Sequence, residues 1–209
     1  MDRRSSAIHI GTHDWRFPED TSGFYPPDLP ADWQLEYYTT QFHALELPPL
    51  TGLPEAATVE EWDAQTLEDA ALAVPLTGEW AVRLASGGDL GPLARALAPL
   101  GDKLAVMLWP QKPPTAARRF WPSVRHLDAS QDPIASIDPD ADSPGAPVSY
   151  RRLGGTGRHD PAELEALAEH LRARAGQGLE SYVFFTAPDD GHALLDAMVL
   201  HDKALGDGM

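Results

Sequence analysis

The sequence contains no cysteine, which excludes a disulfide framework, a thiolate zinc site, an iron–sulfur cluster and a cysteine nucleophile. Histidine and carboxylate remain as the metal ligands. Nowhere do the roughly 18 consecutive apolar residues of a membrane helix occur, so no membrane association and a cytoplasmic location are expected. Basic residues are scarce, 16 against 32 acidic, and the net charge of −16 opposes nonspecific binding of nucleic acid or anionic lipid by the bulk surface. No Gly-x-Gly-x-x-Gly comes after the first apolar run, which removes support for a dinucleotide fold. No Gly-x-Ser-x-Gly marks a serine nucleophile.

What is present is a punctuated chain. The 209 residues include 20 prolines and 17 glycines, more than the usual combined share of about 12%. One domain spanning residues 1–209 is expected, long enough to bury roughly 70% of its unfolded surface. Short apolar runs predict strands at Ala7–Ile10, His43–Leu47, Ala70–Val74, Lys103–Trp109, Val148–Leu153 and Leu179–Phe185. Gly11 and Thr12 would then open a loop, and Pro48-Pro49 would stop the second strand.

Helical spacing of Trp33, Tyr37, Tyr38 and Phe42 predicts a helix over Ala31–Phe42 with one aromatic face packed in the core. Thr58 with Glu61 reads as a capping box for a helix to about Gln65. Leu93–Leu100 reads as a helix ended by Gly101. Asp160, Pro161 and Glu163 read as N-cap, N1 and N3 of a helix to about Ala175. A last helix is expected from about Asp190 to Leu205. Asp132-Pro133, Asp138-Pro139 and Ser143-Pro144-Gly145 make residues 122–147 an irregular segment, read as a mobile surface loop. Six strands alternating with about six helices imply an α/β protein with a parallel sheet, either open and doubly wound or closed as a barrel.

Certain residues carry a more specific likeness. Ile8-His9-Ile10-Gly11-Thr12, Trp15, Gly23-Phe24-Tyr25-Pro26, Leu29-Pro30, Trp33 and Glu36-Tyr37-Tyr38, then Phe42-His43-Ala44-Leu45-Glu46, resemble the opening of the YecE-like family, domain of unknown function 72. The likeness continues through Leu100-Gly101-Asp102-Lys103-Leu104, Leu108 and Pro113-Pro114. It returns at Tyr150-Arg151-Arg152-Leu153-Gly154-Gly155 and at Tyr182-Val183-Phe184-Phe185 with Ala193, Asp196 and Ala197. The resemblance implies a TIM-like β/α barrel with any active face at the carboxyl ends of the strands, and no established reaction.

Against the family pattern, Glu46 is succeeded by Leu47, Pro48, Pro49, Leu50 and Thr51 in place of an Asn and a Phe-Tyr pair. Pro75 stands where a lysine usually closes the third strand. Ser123-Val124-Arg125-His126 replaces Glu-x-Arg-His, Arg152-Leu153-Gly154-Gly155 replaces Arg-x-His-Gly, and Thr186-Ala187 replaces a paired Asn. Only residues 115–149 separate Pro114 from Tyr150, too few for several βα units. The expectation is a shortened barrel, incomplete or minimal, below the typical size of about 250 residues.

Glu46 is the leading catalytic candidate, because a carboxylate at the end of a buried strand is costly unless paired, hydrated or used. As a general base or metal ligand it would act with His13 and Asp14, giving one nitrogen and two oxygens for a divalent Mn²⁺, Mg²⁺ or Zn²⁺. The competing reading is a salt bridge from Glu46 to an arginine such as Arg152. His9 reads as a core histidine, and His192 and His201 are too far apart for an i, i+4 ligand pair.

Between Trp109 and Leu127 lie Lys112, Arg118, Arg119 and Arg125 and no acidic residue. Arg151, Arg152 and Arg158 form a second basic stretch. Joined, they would bind phosphate, with Trp109, Phe120 and Trp121 stacking on bases; the competing reading is a solvated helix face over core aromatics. Gly154–Gly157 is a weak candidate anion cradle. The candidate ligand contacts are therefore Thr12, Trp15, Tyr25, Trp109, Lys112, Arg125 and Arg152.

Two functions compete. One is a metal-dependent phosphoesterase or nuclease acting on nucleic acid or a phosphorylated small molecule. The other is an inactive binding or scaffold domain whose mouth is filled by Pro48, Pro49, Pro75 and apolar side chains. A homo-oligomer would cover any exposed strand edge.

Overall fold

Apolar runs of three to seven residues, each closed by proline, glycine or a polar pair, leave strands short and force the chain back through a helix after nearly every one. The computed structural model describes residues 7–17, 23–129, 136–143, 145–154, 157–186 and 191–206. Its strands are β1 (Ile8–His13), β2 (Ala44–Glu46), β3 (Ala71–Pro75), β4 (Leu104–Trp109), β5 (Arg125–Asp128), β6 (Val148–Gly154) and β7 (Glu180–Thr186). Its helices are α1 (Gln34–Gln41), α2 (Ala56–Gln65), α3 (Glu79–Ala85), α4 (Gly91–Leu97), α5 (Ala117–Phe120), α6 (Pro161–Gly176) and α7 (His192–Leu205). Among the described residues, seven parallel strands alternating with helices, where a closed barrel has eight, define an incomplete α/β barrel.

The chain divides into two compact units, Met1–Leu45 with Pro133–Met209, and Glu46–Asp132. In the first, β7 lies between β1 and β6 and pairs parallel with both, Ile10 opposite Val183 and Tyr150 opposite Tyr182. α6 and α7 pack on this ladder, burying Leu167, Leu171, Leu194 and Leu200 against a core that includes Ile10 and Phe184. α6 begins as its sequence dictates: the Asp160 carboxylate accepts the Ala162 N–H at 2.7 Å and Pro161 occupies the first turn.

In the second unit, β4 lies between β3 and β5, Val74 opposite Met107 and Met107 opposite His126. The segment leaving β2 joins this ladder through Leu47 N–H on the Ala73 carbonyl and Leu50 N–H on the Pro75 carbonyl. Lys103 closes α2 from outside, its ammonium donating to the Thr66 carbonyl at 3.0 Å and pairing with Asp63 at 2.8 Å.

Several expectations are corrected. β1 runs on through Gly11, Thr12 and His13, so those residues do not begin a loop. α2 starts at Ala56 with Glu55 as N-cap, which leaves Thr58 inside the helix and the capping box unformed. The aromatic face of the first helix is incomplete, since Trp33 sits in a preceding 3-10 turn and is 60% exposed. α3 has no counterpart among the elements expected from sequence.

The segment at 122–147 is not wholly irregular, because β5 occupies Arg125–Asp128. A 3-10 turn at Pro139–Ala141 is likewise held: the buried Arg151 guanidinium donates to the Ser136 and Asp138 carbonyls. The Asp132-Pro133 pair, Pro144, Gly155, Thr156, Ala187 and the start expected at Asp190 lie outside the described residues. Among those described, no helix is long and apolar enough to cross a membrane.

Candidate functional site

The first-strand motif folds into a closed hydrogen-bonded knot. Tyr38, fully buried on α1, accepts the Thr12 N–H at 2.8 Å and donates to the Ala44 carbonyl at 3.1 Å. Gly11 makes this approach possible: a Cβ there would lie 2.0 Å from the Ala44 carbonyl oxygen and 2.9 Å from the Tyr38 hydroxyl. Thr12 Oγ1 donates to the Asp14 carbonyl at 2.7 Å, and the Tyr25 hydroxyl donates to the Trp15 carbonyl. Burial pushes both tyrosines' pKa values upward, so their hydroxyls stay protonated donors.

Asp14 sits at φ 66°, a left-handed conformation unusual outside glycine. Its carboxylate is committed locally: it accepts Trp15 N–H at 2.7 Å and Arg16 Nε at 2.9 Å. Burial pushes its pKa up, but the Arg16 hydrogen bonds and charge outweigh this and hold it below the ordinary value. Thr12, Asp14, Trp15 and Tyr25 are thus brought together, by bonds to one another and to Tyr38. His13 is half-buried at the end of β1, and His9 stacks on Tyr182 with ring centroids 4.5 Å apart.

Glu46 is the last residue of β2 and fully buried. The chain beyond it is lined by apolar groups: Leu47, Leu50, Pro75 and Leu76 are all buried, and Trp80 donates its indole N–H to the Gly52 carbonyl at 3.1 Å. Among the described residues no group of three or more histidines, aspartates or glutamates is arranged to hold a metal ion.

The basic stretch of the second unit is displayed outward. Lys112, Arg118, Arg119 and Arg125 are exposed, and Phe120, next to Arg119 on α5, is 44% exposed. Trp109 is fully buried and Trp121 nearly so, which leaves neither with a ring face for a base and corrects that expectation. Instead the Trp109 indole N–H donates to His126 Nδ1 at 3.1 Å, while the other ring nitrogen of His126 lies 3.1 Å from the Trp121 carbonyl. That pairing needs the neutral ring with its proton on Nε2. Burial pushes the His126 pKa down, the Trp121 carbonyl opposes it, and the Arg118 charge adds to the lowering.

Arg151 is also removed from the surface: fully buried, it pairs with Asp142 at 3.1 Å, so the second basic stretch is not a continuous patch. Arg152 is half-buried. Arg158 remains partly exposed and ion-paired with Asp196.

At the carboxyl ends of β6 and β7, in the first unit, lies a small surface indentation with room for about one water. Leu153, Phe185 and Ala193 form its apolar wall, and Thr186, His159 and Asp196 its polar side. Gly154 lets the two strand ends close together, since a Cβ there would stand 2.7 Å from Thr186 Oγ1. Buried Asp196 accepts both Arg158 Nε and the His159 N–H, the latter at 2.8 Å. Sequence reasoning picks out neither His159 nor the role of Asp196. The signal open to it is a carboxylate between Ala193 and Ala197, on the face that α7 buries.

The comparisons with known proteins agree with this architecture. A DUF72 protein of Thermotoga maritima superposes with a TM-score of 0.61 at 21% identity, covering 93% of this chain and 98% of that one. A DUF72 protein of Enterococcus faecalis superposes with a TM-score of 0.62 at 12% identity, covering 95% of each. At these identities the likeness shows the fold alone. No curated protein matches the chain. The family model described as "Protein of unknown function DUF72" matches residues 9–137, more than half of the sequence, and the chain belongs to that family.

Proposed function

We propose that this protein binds single-stranded nucleic acid through the 112–125 stretch of its second unit and does not hydrolyse it. The observation that carries the reading is the exposure of Lys112, Arg118, Arg119 and Arg125 and of Phe120 within one short stretch, with no acidic residue between Trp109 and Leu127 in a chain of net charge −16. Exposed cations for phosphates and a partly exposed aromatic ring for a base are the two components of sequence-tolerant strand binding. Three observations argue against hydrolysis: the apolar covering after Glu46, the tie between Asp14 and Arg16, and the lack of a three-ligand cluster among the described residues. In this reading the chain acts as one cytoplasmic domain, and β5, at the end of its ladder, offers an edge for a homo-oligomer.

A second reading is a metal-dependent phosphoesterase centred on Glu46, favoured by the full burial of that carboxylate at a strand end. One experiment addresses both. Fluorescence anisotropy with a labelled oligonucleotide at low salt is run on the intact chain and on Arg118→Ala/Arg119→Ala, with Mg²⁺- and Mn²⁺-dependent cleavage measured alongside in the parent and in Glu46→Gln. Binding should weaken roughly tenfold in the double variant, as loss of two phosphate contacts implies, with no cleavage by any protein. No binding by the parent chain, or equal binding by the double variant, overturns the nucleic-acid reading. Metal-dependent cleavage lost in Glu46→Gln overturns the non-hydrolytic one.

A further inference from the structure

Three aromatic side chains close the connection between β4 and β5. The His126 imidazole, half-buried on β5, stands between two indoles, ring centroids 5.8 Å from Trp109 and 6.4 Å from Trp121. Both of its nitrogens are in use: Nδ1 accepts the Trp109 indole N–H at 3.1 Å, and Nε2 lies 3.1 Å from the Trp121 carbonyl. Trp109 ends β4 and Trp121 follows α5, so one side chain ties the end of a strand to the far side of the 110–124 connection.

The tie exists in one protonation state. Nδ1 accepts and so carries no proton; a second proton on the ring goes to Nδ1 and meets the indole N–H head-on. Trp109 is fully buried, and its donor is then left without an acceptor. Among the described residues, little around the ring favours a charge on it. Burial is the main influence against the charged form, and the Arg118 charge from α5 adds to it. Arg119 also lies on α5, while β4 and the Trp121–Val124 turn bring no titratable side chain. On β5 itself Asp128 falls on the same face of the strand as His126 and Arg125 on the other.

We propose that His126 is an acid-sensitive latch: the neutral imidazole holds the 110–124 connection against the end of β4, and a proton on Nδ1 opens it. At pH 7 the ring is neutral and the latch closed. Burial keeps the folded ring neutral to a lower pH than the unfolded one. The stabilisation is therefore whole above the ordinary value of 6.5 and is lost as pH falls from there through the folded value. Opening frees the segment that carries Lys112, Arg118, Arg119 and Phe120. The latch does not rest on strand binding by that segment and is tested without nucleic acid.

The test follows the intact chain by NMR from pH 7.5 to pH 4.5, reading the His126 ring, the Trp109 indole N–H and the protection of backbone amides from exchange. The Trp109 resonance is expected to leave its hydrogen-bonded position on the same curve as His126 titrates. Protection should fall roughly tenfold or more across residues 117–128 and hold in β1 and β7, as local opening implies. His126→Gln keeps a donor and an acceptor but does not titrate, and should show neither change over this range. Trp109→Phe removes the donor that favours the neutral ring and should raise the His126 midpoint by about half a unit to one unit, roughly three- to tenfold in proton affinity. A His126 ring that does not titrate above pH 4.5, or a Trp109 resonance that ignores its titration, overturns the latch. So does the same pH response in His126→Gln, equal loss of protection in β1 and β7, or an unchanged His126 midpoint in Trp109→Phe.

Discussion

The two ends of β6 and β7 are built from the same kinds of residue and do opposite things with them. Near the amino ends, Asp142, Ser149, Arg151 and Arg174, with half-buried His170, form a cluster in which most donors are spent, Arg151 Nε being the exception. Asp142 accepts Ser149 Oγ at 2.5 Å, lies 2.6 Å from His170 Nε2, and pairs with Arg151 at 3.1 Å. Arg174 donates to Ser181 Oγ at 3.0 Å and to the Ala146 carbonyl at 2.9 Å. At the carboxyl ends, Asp196 also holds an arginine, yet Arg158 is 43% exposed and keeps its terminal nitrogens. The contrast fits the division in β/α barrels between a stabilising amino face and a ligand-facing carboxyl face.

The largest expected effect comes from breaking the spent cluster. Asp142→Asn should cost about 3–5 kcal/mol, because it leaves Arg151 buried without its counter-charge, read by urea unfolding. A loss below about 1 kcal/mol would show that the cluster does not hold the 136–142 segment. The next effect is acid sensitivity. Burial pushes the Asp142 carboxyl up, but hydrogen bonds from Ser149 and His170 and the Arg151 charge hold it below its ordinary 3.8. A folded-state pKa below the unfolded one means the stabilisation is present above pH about 4 and is lost as pH falls through the folded value. Unfolding midpoints measured between pH 6 and pH 2 should drop steeply at the acid end, and Asp142→Asn should flatten that drop. The smallest effect is at the other end: Arg158→Gln should cost about 1–3 kcal/mol, since the arginine is partly exposed but its loss leaves the buried Asp196 carboxylate with the His159 N–H as its one donor among the described residues.

Much of this contrast is hidden in the sequence for physical reasons. Strands β1, β2, β3, β4 and β7 announce themselves because short apolar runs are buried on their ladders, and β6 does so through Tyr150 and Leu153. β5 does not: Arg-His-Leu-Asp at the end of a ladder has no apolar run to show. Helix α3 escapes because its buried anchor is one residue, Trp80, while Val82 faces out. Arg151 and Arg158 look alike in sequence, two arginines near glycines. Burial separates them, and burial here depends on Asp142, which arrives from a proline-rich stretch with no periodicity. Glu46 is readable as a strand-end carboxylate, and the Gly11–Trp15 motif as significant. That Gly11 yields space to the Tyr38 hydroxyl shows only in three dimensions, because the two residues lie on different elements.

The amino-end cluster is a fully enclosed ion pair, whereas the carboxyl-end pair keeps its arginine partly exposed. This difference is tested most directly by urea unfolding of Asp142→Asn and Arg158→Gln side by side. Asp142→Asn is expected to lose about 3–5 kcal/mol and Arg158→Gln a smaller amount, about 1–3 kcal/mol. An equal or larger loss in Arg158→Gln would contradict the account.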